Sequence, residues 1–211
     1  MSKFTEKEIV QLLKGMEQIT KKLPPTMTAQ IIHDYGKNPY LILISCLLSL
    51  RSRDAVTYPV SKKLFEHATT PQEMVKLPIS QLETVLKPIG FYRRKAQIVH
   101  EVSQELLERF DGKVPKTEQE LLSIKHVGRK TANLVLSAAF DLPAICVDTH
   151  VHRIAHHLHL VNTKTPEATE QALQKIIPKK LWGKINTIFV VWGQHVCKSN
   201  SKKCVCAQIL E

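Results

Sequence analysis

Hydrophobic residues recur along the chain at the three- and four-residue spacing of amphipathic helices. No stretch shows sustained alternation of apolar and polar residues, and no Asn-Gly pair indicates a β-hairpin. The longest apolar run, Tyr40 to Leu50, follows Asn38 and Pro39, which are typical of a helix N-cap and first helical position. It is shorter than the roughly 20 residues of a membrane span, so it predicts a buried helix. The whole pattern predicts an all-α protein.

In the second half of the chain, the pattern predicts a short helix, a tight turn and a longer helix. Thr117 and Glu120 form a capping-box pair for a helix that ends near Ser123 or Ile124, and the next helix begins at Gly128 or Arg129. The core face of that helix consists of Ala132, Val135, Leu136, Ala139 and Phe140. A second face consists of Lys130, Asn133 and Ser137. We therefore expect Lys130 to project away from the core.

A further helix is predicted after Pro143. Its residues at core spacing are Val151, Ile154, Ala155 and Leu158. Asp148 lies at or next to its N-cap.

The composition is that of a globular protein with excess positive charge. The 211 residues are 43% hydrophobic, enough for one core or two small lobes, so disorder and fibre formation are disfavoured. The net charge of +11 attracts polyanions, and nucleic acid is the natural partner. Residues 1–14 lack the apolar stretch of a secretory signal, so we expect a cytoplasmic protein.

The cysteines fall into two groups. Cys197, Cys204 and Cys206 are crowded near the C-terminus, which fits metal or cluster ligation better than a disulfide framework. Cys46 and Cys146 are isolated in apolar stretches, and we expect both to be small core residues.

The most informative segment is Ile124-Lys125-His126-Val127-Gly128-Arg129-Lys130-Thr131-Ala132, which Asp148 follows. A tight turn that opens a helix presents backbone N–H groups and a positive dipole end, and both suit a phosphate oxygen. Lys130 and Asp148 would supply the chemistry. Simpler interpretations exist, because a lysine at a helix start is usually solvated and an aspartate before a helix is usually an N-cap. For Asp148 the two roles can coexist.

This segment resembles the Leu-Pro-Gly-Val-Gly-x-Lys-Thr-Ala and Val-Asp-Thr-His motifs of endonuclease III, in the helix-hairpin-helix DNA glycosylase superfamily. The similarity extends over essentially the whole chain. Other matching segments are Leu47-Leu48-Ser49-Leu50-Arg51-Ser52-Arg53-Asp54, Ile89-Gly90-Phe91-Tyr92-Arg93-Arg94-Lys95-Ala96, Gly112-Lys113-Val114-Pro115 and the C-terminal cysteines.

The resemblance implies a two-lobed α-helical fold with a cleft that receives the DNA lesion. One lobe would be a six-helix barrel, residues 32–142, with the helix-hairpin-helix motif at about 118–140. The other would combine residues 1–31 and 143–211. The implied partner is double-stranded DNA with a damaged base or an abasic site. We expect the protein to be a monomer that is associated with the nucleoid and does not bind a membrane.

The resemblance also implies the reaction and its residues. Lys130 matches the catalytic lysine and Asp148 the catalytic aspartate of an enzyme that removes oxidised pyrimidines and cleaves the strand by β-elimination. Phe91 matches a wedge residue, and Arg51 stands where the family often has a glutamine that fills the gap in the duplex. The implied DNA contacts of the motif are Lys125, His126, Val127, Gly128, Arg129 and Thr131.

The chain departs from the family pattern at the hairpin. His126 occupies the place of the first glycine and Lys125 that of the usual proline. If the position needs a positive φ, histidine adopts it at a cost that glycine avoids. Contacts of Lys125 and His126 with phosphate would compensate. Arg51 in place of glutamine changes how the opposite base is recognised.

A second departure concerns the [4Fe-4S] cluster that the resemblance implies. The family pattern is Cys-x6-Cys-x2-Cys-x5-Cys, whereas Cys197-x6-Cys204-x-Cys206 lacks a fourth cysteine. Another residue completes the cluster, the site is degraded, or the three thiols are remnants. A zinc site at His152, His156 and His159 is disfavoured, because their helix holds no acidic partner and a basic surface facing DNA explains the histidines.

Other functions fit the residues less well. An adenine-mismatch glycosylase would not be expected to carry a lysine at position 130. An 8-oxoguanine glycosylase shares the lysine and the aspartate and is the nearest enzymatic alternative. A non-enzymatic helix-hairpin-helix module that binds duplex phosphates is the alternative from another class, but it would need neither Asp148 nor a nucleophilic amine.

Overall fold

A computed structural model describes residues 4–198 of the chain. In chain order, the α-helices of this range are α1 (Glu6–Thr20), α2 (Met27–Tyr35), α3 (Pro39–Ser49), α4 (Asp54–Phe65), α5 (Pro71–Met74), α6 (Ile79–Leu86), α7 (Tyr92–Phe110), α8 (Glu118–Ser123), α9 (Arg129–Phe140), α10 (Thr149–His157), α11 (Pro166–Ile176) and α12 (Trp182–His195). A 3₁₀ turn, Lys179–Leu181, precedes α12, and the described range contains no strand.

The chain divides into two units. The central unit comprises residues 27–140, and the terminal unit comprises residues 1–26 together with 141–211. The prediction of an all-α fold with a lobe built from both chain ends is confirmed, and the predicted bounds of the two lobes stay predictions. No helix among the described residues combines the length and the apolar character needed to cross a membrane.

Helix α3 is the centre of the central unit. Every residue from Tyr40 to Leu48 is buried, and α3 packs against α2, α4, α7 and α9. It begins as predicted, because the Asn38 carboxamide accepts hydrogen bonds from the backbone N–H groups of Tyr40 and Leu41 at 3.0 and 3.2 Å. The N-cap and the all-round apolar sequence together account for a helix that is enclosed on every side.

Helix α9 is more deeply enclosed than its sequence predicts. Asn133 and Ser137, expected on a second face away from the core, are 3% and 9% exposed. Contacts with α3 and α8 enclose the helix. The Ser137 hydroxyl donates to the Asn133 carbonyl at 2.8 Å, so it is buried with its hydrogen bond made. The prediction that these two residues lie off the core is therefore wrong.

The terminal unit surrounds α12. This helix packs against α1 and α10, and α11 packs against α10. Ile9 and Met16 of α1 share its core with Phe189 and Trp192 of α12. The predicted core positions Val151, Ile154, Ala155 and Leu158 are all fully buried. Cys46 in the central unit and Cys146 in the terminal unit are each 1% exposed, as predicted.

Candidate active site

Lys130 is the second residue of α9, directly after the turn that ends α8. Helix α8 ends at Ser123 and α9 begins at Arg129, which confirms both predicted boundaries. The first intrahelical bond of the new helix runs from the Ala132 N–H to the Gly128 carbonyl at 2.9 Å. Lys130 is half-buried, whereas the seven residues that follow it are buried. The lysine thus stands at the accessible end of an otherwise enclosed helix.

His126 has a φ of 69°, so this hairpin position, where the family motif has a glycine, is left-handed. Two acidic side chains of α7 anchor the turn. Glu101 accepts from the His126 ring Nε2 and from Lys125 Nζ, each at 2.8 Å. Glu105 accepts from the Lys125 backbone N–H at 2.9 Å. These contacts compensate for the histidine within the protein, and the phosphate contacts of Lys125 and His126 stay predictions.

The hydrogen bond from Lys125, followed by that from His126, lowers the pKa of Glu101 from 4.5 to about 2. Because the folded-state value is the lower one, the stabilisation is complete above about pH 4.5 and is lost as the pH falls toward 2. We expect Glu101→Gln to lower the free energy of unfolding by about 0.5–1 kcal/mol at pH 6, since the carboxylate is partly exposed. Urea unfolding of wild type and variant at pH 6 and pH 3 measures this.

The matched control is Glu108→Gln, which changes an exposed carboxylate on the same helix. Its difference from wild type should be small at both pH values. A Glu101→Gln deficit that stays constant from pH 6 to pH 3 would show that the carboxylate does not stabilise the hairpin through its charge.

The predicted DNA contacts of the hairpin differ in accessibility. Gly128 is exposed, and Arg129 forms a 3.4 Å ion pair with Glu118 while its side chain is 40% exposed.

Val127 and Thr131 are 5% and 2% exposed. The Val127 N–H already donates to the Ile124 carbonyl, and the Thr131 hydroxyl contacts Cys46 Sγ at 3.6 Å. The structure therefore does not present the side chains of Val127 and Thr131 to DNA, because both complete the core.

Asp148 is the N-cap of α10, as predicted. Its Oδ1 accepts from the Val151 N–H at 2.8 Å, and its backbone is extended, with φ −106° and ψ −173°. The preceding segment, residues 144–147, is buried, and the Asn186 side chain donates to the Cys146 carbonyl at 3.2 Å. Asp148 is half-buried at the end of this segment. The buried segment before Asp148 and the capped helix after it together fix its carboxylate in the terminal unit.

Arg51 and Phe91 lie on neighbouring turns of the central unit. Both are left-handed, with φ values of 56° and 58°, and Phe91 is 64% exposed. A Cβ built on Gly90 would lie 3.9 Å from both the Arg51 carbonyl oxygen and Ser52 Oγ. An exposed phenylalanine at a strained backbone position beside an exposed arginine is unusual for a residue that only packs.

Sequence reasoning missed Lys95, which is 5% exposed and lies at the base of these turns. Its Nζ donates to the Leu48 carbonyl at 2.7 Å and to Ser52 Oγ at 2.8 Å. Its position in the helical repeat could have identified Lys95 from the sequence. It shares a helical stripe with Ala96, Val99 and Val102, where a lysine is out of place unless it has partners. Glu101 and Glu105 were missed as well, and no local pattern links them to a hairpin twenty residues away.

The histidines of α10 bond within the terminal unit. His152 Nδ1 lies 2.7 Å from Thr169 Oγ1, and His156 Nδ1 lies 2.7 Å from the His152 carbonyl. Burial lowers the pKa of His152, and the nearby His156 adds to that shift. Among the described residues, no group of three or more metal-binding side chains is present. Internal hydrogen bonds thus occupy His152 and His156, whereas His159 is exposed, and the expectation of a basic surface stays a prediction.

Of the three cysteines predicted as cluster ligands, Cys204 and Cys206 lie outside the described residues. Cys197 is 1% exposed, and its Sγ lies 3.2 Å from His157 Nδ1. Arg153 donates to the Cys197 carbonyl at 2.8 Å. Burial, and secondarily the positive charge of Arg153, lowers the pKa of His157, which favours a neutral ring beside the thiol. Of the five cysteines in the sequence, three belong to the C-terminal group, so these thiolates alone do not fit a [4Fe-4S] cluster, which takes four.

Comparisons with known proteins agree with the motifs. A family model described as "HhH-GPD superfamily base excision DNA repair protein" matches residues 44–179. Endonuclease III of Thermotoga maritima is 48% identical, over 84% of this chain and 86% of that protein. A solved non-covalent endonuclease III–DNA complex, 33% identical, superposes with a TM-score of 0.85, covering 98% of this chain and 94% of the other. A trapped endonuclease III–DNA covalent intermediate, also 33% identical, gives a TM-score of 0.81 over 95% and 92% of the two chains. The chain belongs to the HhH-GPD superfamily of base excision DNA repair proteins, and within it to the endonuclease III family.

Proposed function

We propose that Lys130 is the nucleophile of a bifunctional DNA glycosylase that excises oxidised pyrimidines from double-stranded DNA and then cleaves the strand. The observation that carries the proposal is the placement of Lys130, half-buried at the accessible start of α9, directly after the helix-hairpin turn. In the relatives' covalent intermediate, endonuclease III is joined to DNA. A lysine amine is the side chain that forms such an intermediate with a sugar C1′.

The proposed reaction has two stages. The neutral Lys130 amine attacks C1′, and the bond between C1′ and the base breaks, with the base leaving as it gains a proton. Opening of the sugar ring then yields a Schiff base between Nζ and C1′. Loss of a proton from C2′ expels the 3′ phosphate by β-elimination, and hydrolysis of the imine releases the lysine. Arginine could not replace it, because a guanidinium stays protonated.

Asp148 is proposed to accept a proton from the lysine and to stabilise the cationic sugar. Its carboxylate is held by the hydrogen bond from the Val151 N–H, so its orientation is determined before substrate binds. The hydrogen bond that makes Asp148 an N-cap therefore also orients its carboxylate for the proposed catalytic role.

Arg51 and Phe91 are proposed to hold the duplex open while the damaged nucleotide leaves the stack. Their support is the shared placement on adjacent left-handed turns and the exposure of the Phe91 ring. The net charge of +11 favours association with DNA of the nucleoid, where the enzyme would act in the cytoplasm.

No step of this reaction is assigned to a cluster. A [4Fe-4S] group would need a donor in addition to Cys197, Cys204 and Cys206, and His157 is a side chain placed beside Cys197 Sγ. Iron and sulfide analysis of anaerobically purified protein, together with its visible absorption, measures whether this chain retains the group.

The test of the proposed function is borohydride trapping on duplexes that contain an abasic site, thymine glycol or 8-oxoguanine, followed by peptide mapping of the captured protein. Capture on the first two substrates with the DNA attached to Lys130 is the expected result. Capture with 8-oxoguanine in preference to thymine glycol would favour the other glycosylase class. Duplex binding without capture on any substrate would contradict the enzyme and favour a DNA-binding module.

We expect Phe91→Ala to reduce excision of thymine glycol from duplex DNA about 10-fold, because unstacking a base costs a few kcal/mol that the wedge offsets. The free energy of unfolding should change by less than about 0.5 kcal/mol, since the ring is 64% exposed. Single-turnover base release and urea unfolding measure the two effects. Ile19→Ala, which truncates an exposed apolar side chain of α1, is the control. Unchanged excision by Phe91→Ala would remove the wedge assignment.

A further inference from the structure

Lys95 is a lysine placed almost entirely inside the central unit. It is 5% exposed and shares its helical stripe with Ala96 and Val99, which are fully buried. A buried ammonium is costly unless it is hydrogen-bonded, and lysine is among the side chains least often buried without a partner. Burial lowers the pKa of Lys95 to about 8, so the ammonium form still predominates at neutral pH. Because burying this ammonium is costly, the contacts of Lys95 must account for its position.

The contacts of Lys95 connect the two turns that carry Arg51 and Phe91. Its Nζ donates to the Leu48 carbonyl, near the C-terminus of α3, where a positive charge is favourable. The same Nζ donates to Ser52 Oγ, next to Arg51. At the other end of the residue, its backbone N–H donates to the Phe91 carbonyl at 3.0 Å.

We propose that Lys95 is a positioning residue that holds the Arg51 turn in register with the Phe91 turn, so that both side chains enter the duplex together. The inference rests on the proposed roles of Arg51 and Phe91. Ser52 also donates its backbone N–H to the Ser49 carbonyl at 3.0 Å, so a backbone hydrogen bond closes the Arg51 turn. The Lys95 ammonium ties the Arg51 turn to α7, so the turn moves with that helix. Phe91 lies at the start of the same helix.

Lys95→Met tests the proposal, because methionine keeps the apolar stem and removes the donors. Lyase activity is compared on a duplex with an abasic site and on the same strand alone, where no duplex has to be opened. We expect the duplex rate to fall about 10- to 100-fold, the loss typical of a small misplacement, while the single-strand rate stays within about 3-fold. Lys63→Met, which removes an exposed lysine of α4, controls for the lost charge.

A readout that needs no chemistry separates this inference from the proposed function. A duplex with 2-aminopurine opposite a stable abasic analogue reports unstacking by its fluorescence when protein is added. We expect the 2-aminopurine fluorescence to report unstacking at saturating concentrations of wild type and of Lys63→Met. With Lys95→Met we expect this fluorescence change to be lost. A wild type that unstacks the base but never cleaves would contradict the Lys130 chemistry and leave the Lys95 inference standing.

Ser52→Ala is the second variant. It removes one of the two acceptors and keeps the bond from Lys95 to Leu48, so it decides the question if Lys95→Met does not fold. We expect a duplex-selective loss of about 3- to 10-fold. Equal losses on duplex and single strand, or full unstacking by both variants, would overturn the positioning role and leave Lys95 as a purely structural side chain.

Discussion

Replacing Lys130 with alanine is expected to abolish covalent capture on DNA and to lower strand scission by at least about 10³-fold, the scale on which enzymes lose activity with their nucleophile. The fold should be retained. Lys130 is only half-buried, at the second position of α9, and alanine is favourable within a helix. The free energy of unfolding should therefore change by less than about 1 kcal/mol. Borohydride trapping, single-turnover scission and urea unfolding measure the three quantities.

Two further substitutions sharpen this result. Lys130→Arg keeps the charge and removes the reactive amine, so it should be as inactive in trapping as alanine while duplex binding is preserved. Lys125→Ala removes the neighbouring lysine of the hairpin, whose Nζ is paired with Glu101, and it should still be captured. Capture that persists in Lys130→Ala would place the nucleophile at another amine and overturn the assignment.

The helix boundaries around the site could be predicted because each depends on local chemistry. Asn38 and Asp148 cap α3 and α10 through side-chain oxygens, and residues 124–128 separate α8 from α9. At His126 the family's glycine raised the question of a positive φ, and the observed value is 69°. Each of these features depends on residues within a few positions of it in the sequence, so a pattern of residue types is sufficient to indicate it.

Burial on every side of α9 could not be predicted in the same way. A helical pattern identifies an apolar face, and Asn133 and Ser137 do not belong to it. Neighbouring helices nevertheless enclose them, because a polar side chain that bonds to its own helix backbone can be buried at small cost. The same enclosure removes the side chains of Val127 and Thr131 from the surface.

Long-range pairs are the other feature that the sequence does not reveal. Glu101 meets Lys125 and His126 across more than twenty residues of chain, and Lys95 meets Leu48 across 47 residues. In both cases a charged side chain of α7 supports a turn for which a DNA contact is proposed. The hairpin of this chain has a histidine where the family motif has its first glycine, and Glu101 of α7 accepts a hydrogen bond from that histidine.

Asp148→Asn is expected to separate the two roles of the aspartate. Asparagine caps helices as well as aspartate does, so the bond to the Val151 N–H should survive and the free energy of unfolding should change by less than about 0.5 kcal/mol. The negative charge and the proton acceptor are lost. We therefore expect single-turnover base release to fall by about 10² to 10⁴-fold, the range for losing a general base or a preorganised charge.

Asp148→Ala completes the comparison, because alanine removes the cap as well as the charge. It should be about 1 kcal/mol less stable than wild type, with a loss of base release similar to that of Asp148→Asn. If asparagine instead keeps base release within a few-fold of wild type while alanine loses it, the carboxylate acts only through its cap, since the two variants differ in whether Val151 has a partner. If both variants lose base release equally but only Asp148→Ala is less stable, the chemistry depends on the charge of Asp148. The cap then accounts only for the difference in stability.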